Sequence, residues 1–417
     1  MEGGINARQI ELNLVHLPQL VFEVTDACNL RCKYCAYAGL YAGYDKREDL
    51  NFPIHRAKLL IDYLYDTYWK NNEEDEFVEP ISIGFYGGEP LLNVPFIQAI
   101  MEYIERLHLK SKMIFYAMTT NAMLLDKYMD FLAEKEVRLL ISLDGDREGQ
   151  GYRVDAAGQN SFDRVFKNIN LLRDKHPRYF DKFVQFNAVL HSKNSVERIF
   201  TFFQDIFNKD PYISPLNRSG IRSDKIEEFN RTYQNYTESL SQANNCETLK
   251  EELFIKNPDT SLLMDYLYYY SGNVFFNYNH LFVMNDKTPH FQTGTCIPFS
   301  KKMFVTVKGR ILQCERINHE FALGQVTDNG VELDLEQAAR QYNGYVQKYT
   351  RQCRHCGNRR ACMQCVYQID DIHEAGTTCR SFCTDAQRKE YNRQSLEYLS
   401  RHPELYKRLL NDVTIRG

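Results

Sequence analysis

A chain of 417 residues, 43% of them hydrophobic, can build a large core and fill two or three domains. Its net charge of −4 gives no electrostatic reason to expect nucleic acid or an anionic membrane as a partner. The N-terminus lacks a basic start followed by an apolar core, and no apolar run approaches the ~18 residues of a membrane span, so a cytoplasmic protein is expected. Twelve cysteines in a reducing compartment are poorly explained by disulfides, and their clustering favours metal or iron–sulfur ligation.

The first predicted strand, QLVFEVT (19–25), is followed at once by CNLRCKYC, with Cys28, Cys32 and Cys35 on one loop. An amphipathic helix is expected over 53–70, where Leu59, Leu60, Tyr63 and Leu64 recur at helical spacing. A strand over 81–87 leads into Gly87, Gly88 and Glu89, and a helix over 94–110 follows. The strand over 113–119 leads into Thr120 and Asn121, with a helix over 125–135. The strand over 137–143 carries Ser142 and leads into Asp144, before a helix over 161–174. The strand over 183–190 carries Asn187, and a helix over 194–208 and a strand over 210–216 complete the series. Strand alternating with helix predicts a parallel sheet, and six βα units fall short of an eight-unit barrel, so an open partial barrel is expected. Ligands of such folds gather at the carboxyl ends of the strands. A polar or glycine-rich element stands at nearly every such end; taken singly, each reads equally as an ordinary turn.

Three thiolates on one loop differ from a structural zinc site, which closes four ligands around its ion. A cubane held by three cysteines keeps one iron open to a small molecule. A zinc site completed by a distant residue is the alternative. A second set comprises Cys296, Gly309, Cys314, Cys353, Cys356, Cys362, Cys365, Cys379 and Cys383. Its eight cysteines suffice for two cubanes or two zinc ions, and the short interval between Cys356 and Cys362 favours cubanes. VTVKGRILQC (305–314) reads as a hairpin turning at Lys-Gly. Arg351, Arg354, Arg359, Arg360 and Arg380 either offset cluster charge or form a solvated face. Cys246 reads as a free thiol, and the tail beyond 385 as an amphipathic helix packing on the barrel.

The CNLRCKYC motif, followed by GGEP and the ordered strand ends, resembles the radical S-adenosylmethionine (SAM) enzymes. The second cysteine set resembles their SPASM extension, departing from it in one interval and in having two terminal cysteines. The resemblance implies an α/β fold: a partial (β/α)6 barrel over 15–217, a bridging region over 218–290, a SPASM domain over 291–390 and a C-terminal helix over 391–417. It implies three [4Fe–4S] clusters. Cys28, Cys32 and Cys35 hold the one that binds SAM, whose cleavage gives methionine and a 5′-deoxyadenosyl radical. Cys296, Cys314 and Cys365 serve one auxiliary cluster; Cys353, Cys356 and Cys362 serve the other; the allocation of Cys379 and Cys383 stays open. Tyr34 is placed near the adenine, Gly87, Gly88 and Glu89 at the SAM amino group, and Thr120, Asn121, Ser142, Asp144 and Asn187 at SAM or substrate. Glu315 matches a proposed catalytic aspartate of the sulfatase-maturing branch, with a surface glutamate as the alternative reading.

The implied function is maturation of a ribosomally made precursor peptide by a thioether or carbon–carbon crosslink, with a low-potential electron donor such as ferredoxin or flavodoxin. Formylglycine formation on a sulfatase is the runner-up, and an electron-transfer or scaffold protein the third possibility. About twenty residues precede the first strand, too few for a leader-binding domain, so the leader is expected to be read by the Tyr-rich 218–290 region or by a separate protein.

Overall fold

The computed structural model describes residues 4–70, 78–107, 109–110, 112–253, 297–359 and 362–411, the last apart from 363, 370, 371, 375 and 377. Cys296, Arg360 and most of the Tyr-rich region lie outside the described residues. The described chain falls into two compact units, one from 6–241 and 298–339, the other from the remaining segments.

The first unit alternates strand and helix. Helix α1 (Ala7–Val15) precedes β1 (Gln19–Thr25), and α2 (Ile54–Leu64) continues through a π turn to Trp69. Then come β2 (Glu79–Gly87), α3 (Val94–Leu107), β3 (Lys112–Thr120), α4 (Leu125–Glu134) and β4 (Arg138–Ser142). The series ends with α5 (Phe162–Lys175), α6 (Pro177–Phe183), β5 (Val184–Leu190), α7 (Val196–Phe207) and β6 (Tyr212–Pro215). Strands β1 to β6 pair in sequence order, all parallel, as the expected partial barrel requires. Helices α1 and α6 are not among the predicted elements; the seven residues of α6 are too few to show a helical stripe, and its start depends on Pro177 fixing the first turn.

Register divides each strand between two faces. The row Phe22, Phe85, Met118, Leu139 and Val184 runs beneath the helices, and all five are buried. Phe22 meets Phe52 and Phe96, each at 5.9 Å between ring centres. Each such ring removed from water contributes about 2 kcal/mol. The opposite row, Val21, Gly84, Ala117 and Arg138, faces the barrel interior.

The predicted hairpin forms as β7 (Met303–Val305) and β8 (Arg310–Leu312), with Gly309 at φ +85° in the turn. Strands β9 (Gly324–Thr327) and β10 (Gly330–Glu332) follow. Strand β7 pairs parallel with β1, Leu20 opposite Met303, so among the described residues these strands extend the barrel sheet to ten.

The helix Leu335–Arg354 crosses the boundary between the units. The second unit also contains Cys246–Glu252 and two tail helices, Asp385–Arg401 and Pro403–Asn411. Sequence periodicity suggests one tail helix; Pro403 divides it, because proline lacks the amide to continue the ladder. A reciprocal pair of hydrogen bonds between Thr384 and Gln387 caps the longer piece, and Arg408 donates to the Glu251 carbonyl within this unit. Among the described residues no helix is long and apolar enough to cross a membrane.

Candidate functional site

The loop after β1 carries Cys28, Cys32 and Cys35, all half-buried. Its backbone is clamped to the segment after β4: the Arg31 amide donates to the Val154 carbonyl at 2.7 Å and the Lys33 amide to Tyr152 at 3.0 Å. Donors also reach the sulfurs. The Leu30 amide lies 3.4 Å from Cys28 Sγ, Asn121 Nδ2 lies 3.8 Å from the same sulfur, and Arg47 Nη2 lies 3.4 Å from Cys35 Sγ. Burial pushes the Cys32 thiol up to about 12, so it stays protonated at neutral pH until a cation takes the proton's place.

The glycine element touches this loop directly. Gly87 has φ +133°, and a Cβ there would lie 2.2 Å from the Thr25 carbonyl oxygen. A Cβ on Gly88 would lie 2.0 Å from the Ala27 oxygen. The sequence suggests close approach to a ligand as the reason for both glycines; the nearer cause is close approach to the cysteine loop's own backbone, which accepts from the Gly88 and Glu89 amides at 2.9 Å each. Glu89 is fully buried. Its Oε1 accepts from the Thr120 hydroxyl at 2.6 Å and the Leu91 amide at 3.1 Å, its Oε2 from the Asn121 amide at 2.7 Å. Burial raises its carboxyl to about 7 despite these donors. Glu89, Thr120 and Asn121 are thus brought together as one unit tying β2 and β3 to the cysteines.

Asp144 is the hub of a second group. It is fully buried and accepts from Arg153 Nε at 3.0 Å, Arg153 Nη2 at 3.1 Å, the Val189 amide at 2.9 Å and the Tyr34 hydroxyl. The Lys193 amide donates to His191 Nδ1, leaving the Nε2 proton to face Asp144 at 3.4 Å. Burial alone would raise the Asp144 carboxyl; Arg153 and His191 hold it at about 2. Tyr34 stacks on His191 at 5.5 Å, so its ring and hydroxyl are both engaged inside the protein. Ser142 stands beside Asn187 in the β4–β5 register, and Asn187 accepts from the Ser214 hydroxyl at 2.7 Å.

Several residues that shape this site are absent from the sequence reading. Arg153 and His191 show nothing in sequence, because they lie 9 and 47 positions from their shared partner Asp144 along a path only the fold defines. Glu23 was detectable, since a carboxylate inside an otherwise apolar strand buried on both faces needs a partner. It accepts from the Tyr37 hydroxyl at 2.7 Å and the Val307 amide at 2.8 Å, and burial raises it to about 7.

The interior face opens into a cavity of about 370 Å³ bounded by β1 to β6, Lys302 and Glu315. Glu315 is 18% exposed and sits 3.0 and 3.2 Å from Lys302 Nζ, rather than lying on the surface. Burial opposes its charge, and Lys302 nonetheless holds its carboxyl below the usual range.

Residues 22–205 match the model of the radical SAM superfamily. The matched segment runs from within β1 through the cysteine loop to α7. The chain is 28% identical over 212 residues to a cysteine-type anaerobic sulfatase-maturating enzyme of Clostridium novyi, covering 48% of this chain and 52% of that one. It is 26% identical over 175 residues to the radical SAM cyclopropyl synthase TigE of Paramaledivibacter caminithermalis, covering 40% and 34%. The chain thus spans about half the length, or less, of these curated relatives. Among solved structures, anSMEcpe with bound AdoMet superposes with a TM-score of 0.60 at 18% identity, covering 95% of this chain and 96% of that one. The same protein with AdoMet and a Cp18Cys peptide gives 0.58 at 16%, covering 95% and 100%. At this identity the likeness speaks for the fold: a radical SAM partial barrel followed by a cysteine-rich C-terminal region. SAM and a [4Fe–4S] cluster are the cofactors of a radical SAM protein.

The second cysteine set divides between the units. Cys314 follows β8 in the first, with the Arg316 amide 3.3 Å from its sulfur; burial pushes its thiol up to about 12. Cys353, Cys356, Cys362, Cys365, Cys379 and Cys383 belong to the second. Burial raises the Cys353 thiol to about 12, and Cys362, Cys379 and Cys356 stand near enough to raise it further. The Gly357 amide donates to the Cys383 carbonyl at 2.6 Å.

Proposed function

We propose that this protein is a peptide maturase that removes hydrogen from a ribosomally made precursor and closes a thioether or carbon–carbon crosslink. The observation that carries this reading is the interior cavity, which has Glu315 on its wall and the cysteine loop at the carboxyl end of the same barrel. The donor set suits a [4Fe–4S] cluster on Cys28, Cys32 and Cys35: three thiols on one loop, with amide, carboxamide and guanidinium donors aimed at two of the sulfurs. With SAM bound, that cluster would supply one-electron cleavage of the sulfonium and a hydrogen-abstracting deoxyadenosyl radical. The protein's own groups hold the site. Asp144, Arg153 and the 152–154 backbone fix the cysteine loop, and Gly87, Gly88 and Glu89 pack against it. Glu315, kept ionised by Lys302, is placed to accept a proton from substrate. Two auxiliary [4Fe–4S] clusters on the remaining cysteines, Cys379 and Cys383 among them, would accept the electron that leaves with each crosslink. A cavity of about 570 Å³ beside Cys32 and Cys35 has Arg31, Lys33, Lys46, Arg47 and Lys225 on its wall against Asp49 and Glu228, and this positive excess suits an acidic low-potential donor such as ferredoxin or flavodoxin.

The test is anaerobic incubation of reconstituted protein with SAM, dithionite and a synthetic Cys-rich precursor peptide. 5′-Deoxyadenosine should form and the peptide mass should fall by two hydrogens per crosslink. Absence of 5′-deoxyadenosine overturns the reading. Formylglycine formation is the second reading, favoured by the matches to sulfatase-maturating enzymes. An aldehyde on a synthetic sulfatase-motif peptide, with no mass change on the precursor, would select it.

A further inference from the structure

We infer that the barrel interior recognises a carboxylate of the peptide substrate, and that Arg138 and Lys182 are the groups that bind it. The inference rests on the peptide-maturase reading and names the chemistry of the substrate at that same cavity.

The row Val21, Gly84, Ala117 and Arg138 runs across four parallel strands on the inner face. Gly84 has no side chain and Ala117 only a methyl, so the arginine borders open space instead of a packed wall. Lys182, from α6, borders the same cavity. Four charged residues line it: Arg138, Lys182, Lys302 and Glu315. The Lys302–Glu315 pair cancels itself at 3.0 Å. The Arg138 guanidinium lies over the Phe115 ring at 3.9 Å, and Lys182 Nζ over the Phe183 ring at 4.7 Å. Neither cation meets a carboxylate among the described residues, and both are exposed. Stacking on an aromatic face fixes the plane of a guanidinium and leaves its edge N–H groups free, the fork that matches a carboxylate. The cavity therefore carries two cations with no ion-pair partner among the described residues, each resting on an aromatic ring, although Lys182 also borders a neighbouring hollow with Asp130, Glu134 and Glu136. An acidic side chain of the peptide, or its C-terminal carboxylate, supplies the missing counter-charge.

The test uses three fluorescein-labelled hexapeptides identical except for one residue and one terminus: a Glu peptide with an amidated C-terminus, its Gln counterpart, and the Gln peptide with a free C-terminus. Binding to reconstituted, SAM-loaded protein is followed by anisotropy at low and at 0.5 M salt. A carboxylate-bearing peptide should bind about tenfold tighter than the neutral one, with the gap narrowing in high salt. Which of the two acids shows the gain identifies the carboxylate. Arg138→Gln with Lys182→Gln should erase the preference, and Arg138→Lys should keep most of it. Equal affinity of all three peptides, no binding of any, or a preference that persists in the double variant would overturn the inference. Formation of 5′-deoxyadenosine by the wild type, measured separately, reports on the maturase reading alone, so the two failures are distinguishable.

Discussion

Removing the cation from the Asp144 hub should destabilise the barrel and, through it, the cysteine loop. Arg153→Met keeps the volume and deletes the charge. Asp144 is fully buried and Arg153 nearly so, and breaking such a pair leaves an uncompensated carboxylate at a cost of about 3–5 kcal/mol. The pH dependence gives a second measure. The Asp144 carboxyl is held at about 2 in the fold, against about 3.9 in an unfolded chain. Because the folded value is the lower one, its contribution is present above pH 4 and fades as pH falls toward 2, and amounts to about 2–3 kcal/mol. Urea unfolding of the apo chain, followed by the fluorescence of Trp69, reads the barrel unit, since the chain's single tryptophan is buried there. Arg153→Met should lower the unfolding free energy by at least ~3 kcal/mol at pH 7. Adding Asp144→Asn should recover part of that loss, since no unpaired charge remains. Reconstituted Arg153→Met should also lose its SAM-responsive cluster faster, because residues 152 and 154 clamp the cysteine loop. A loss under 1 kcal/mol, or a double variant no better than the single one, would refute the argument.

Three further outcomes follow from the same geometry. Gly88→Ala should destabilise the apo chain by about 1–3 kcal/mol and reduce iron loading, because its methyl would meet the Ala27 carbonyl oxygen at 2.0 Å; near-wild-type stability and iron would contradict this. Glu23, raised from 4.5 to about 7, contributes stability at acidic pH that is lost as pH rises through 7. Glu23→Gln should therefore shrink the stability difference between pH 5 and pH 8 by about 2–3 kcal/mol, and an unchanged slope in urea titrations would count against the assignment. Glu315→Gln should slow peptide modification by about 10²-fold or more while 5′-deoxyadenosine still forms; equal loss of both would point to a structural role.

The first predicted strand, QLVFEVT, matches the observed one, and the other five parallel strands agree to within two residues at either end. They were legible because strands buried between helices and a barrel interior must be apolar runs, and helices between them must show one apolar stripe. The cysteine loop and its neighbours GGEP, Thr120 and Asn121 were legible for a related reason: each follows a strand, so one end of the sheet gathers them. Their individual contacts were not. Tyr34 lies against Asp144 and His191, and the two glycines accommodate the chain's own backbone.

The sequence by itself determined the order of βα units, the three-cysteine loop and the hairpin at Gly309, because periodicity, residue type and turn chemistry are local properties. Only the tertiary structure decided that β7 pairs with β1, that Asp144 takes Arg153 as its counter-ion, and that Glu315 faces a cavity shared with Arg138 and Lys182. Those relations join residues distant in the chain, and a charge or a free strand edge in sequence carries no record of which partner the folded sheet will bring to it.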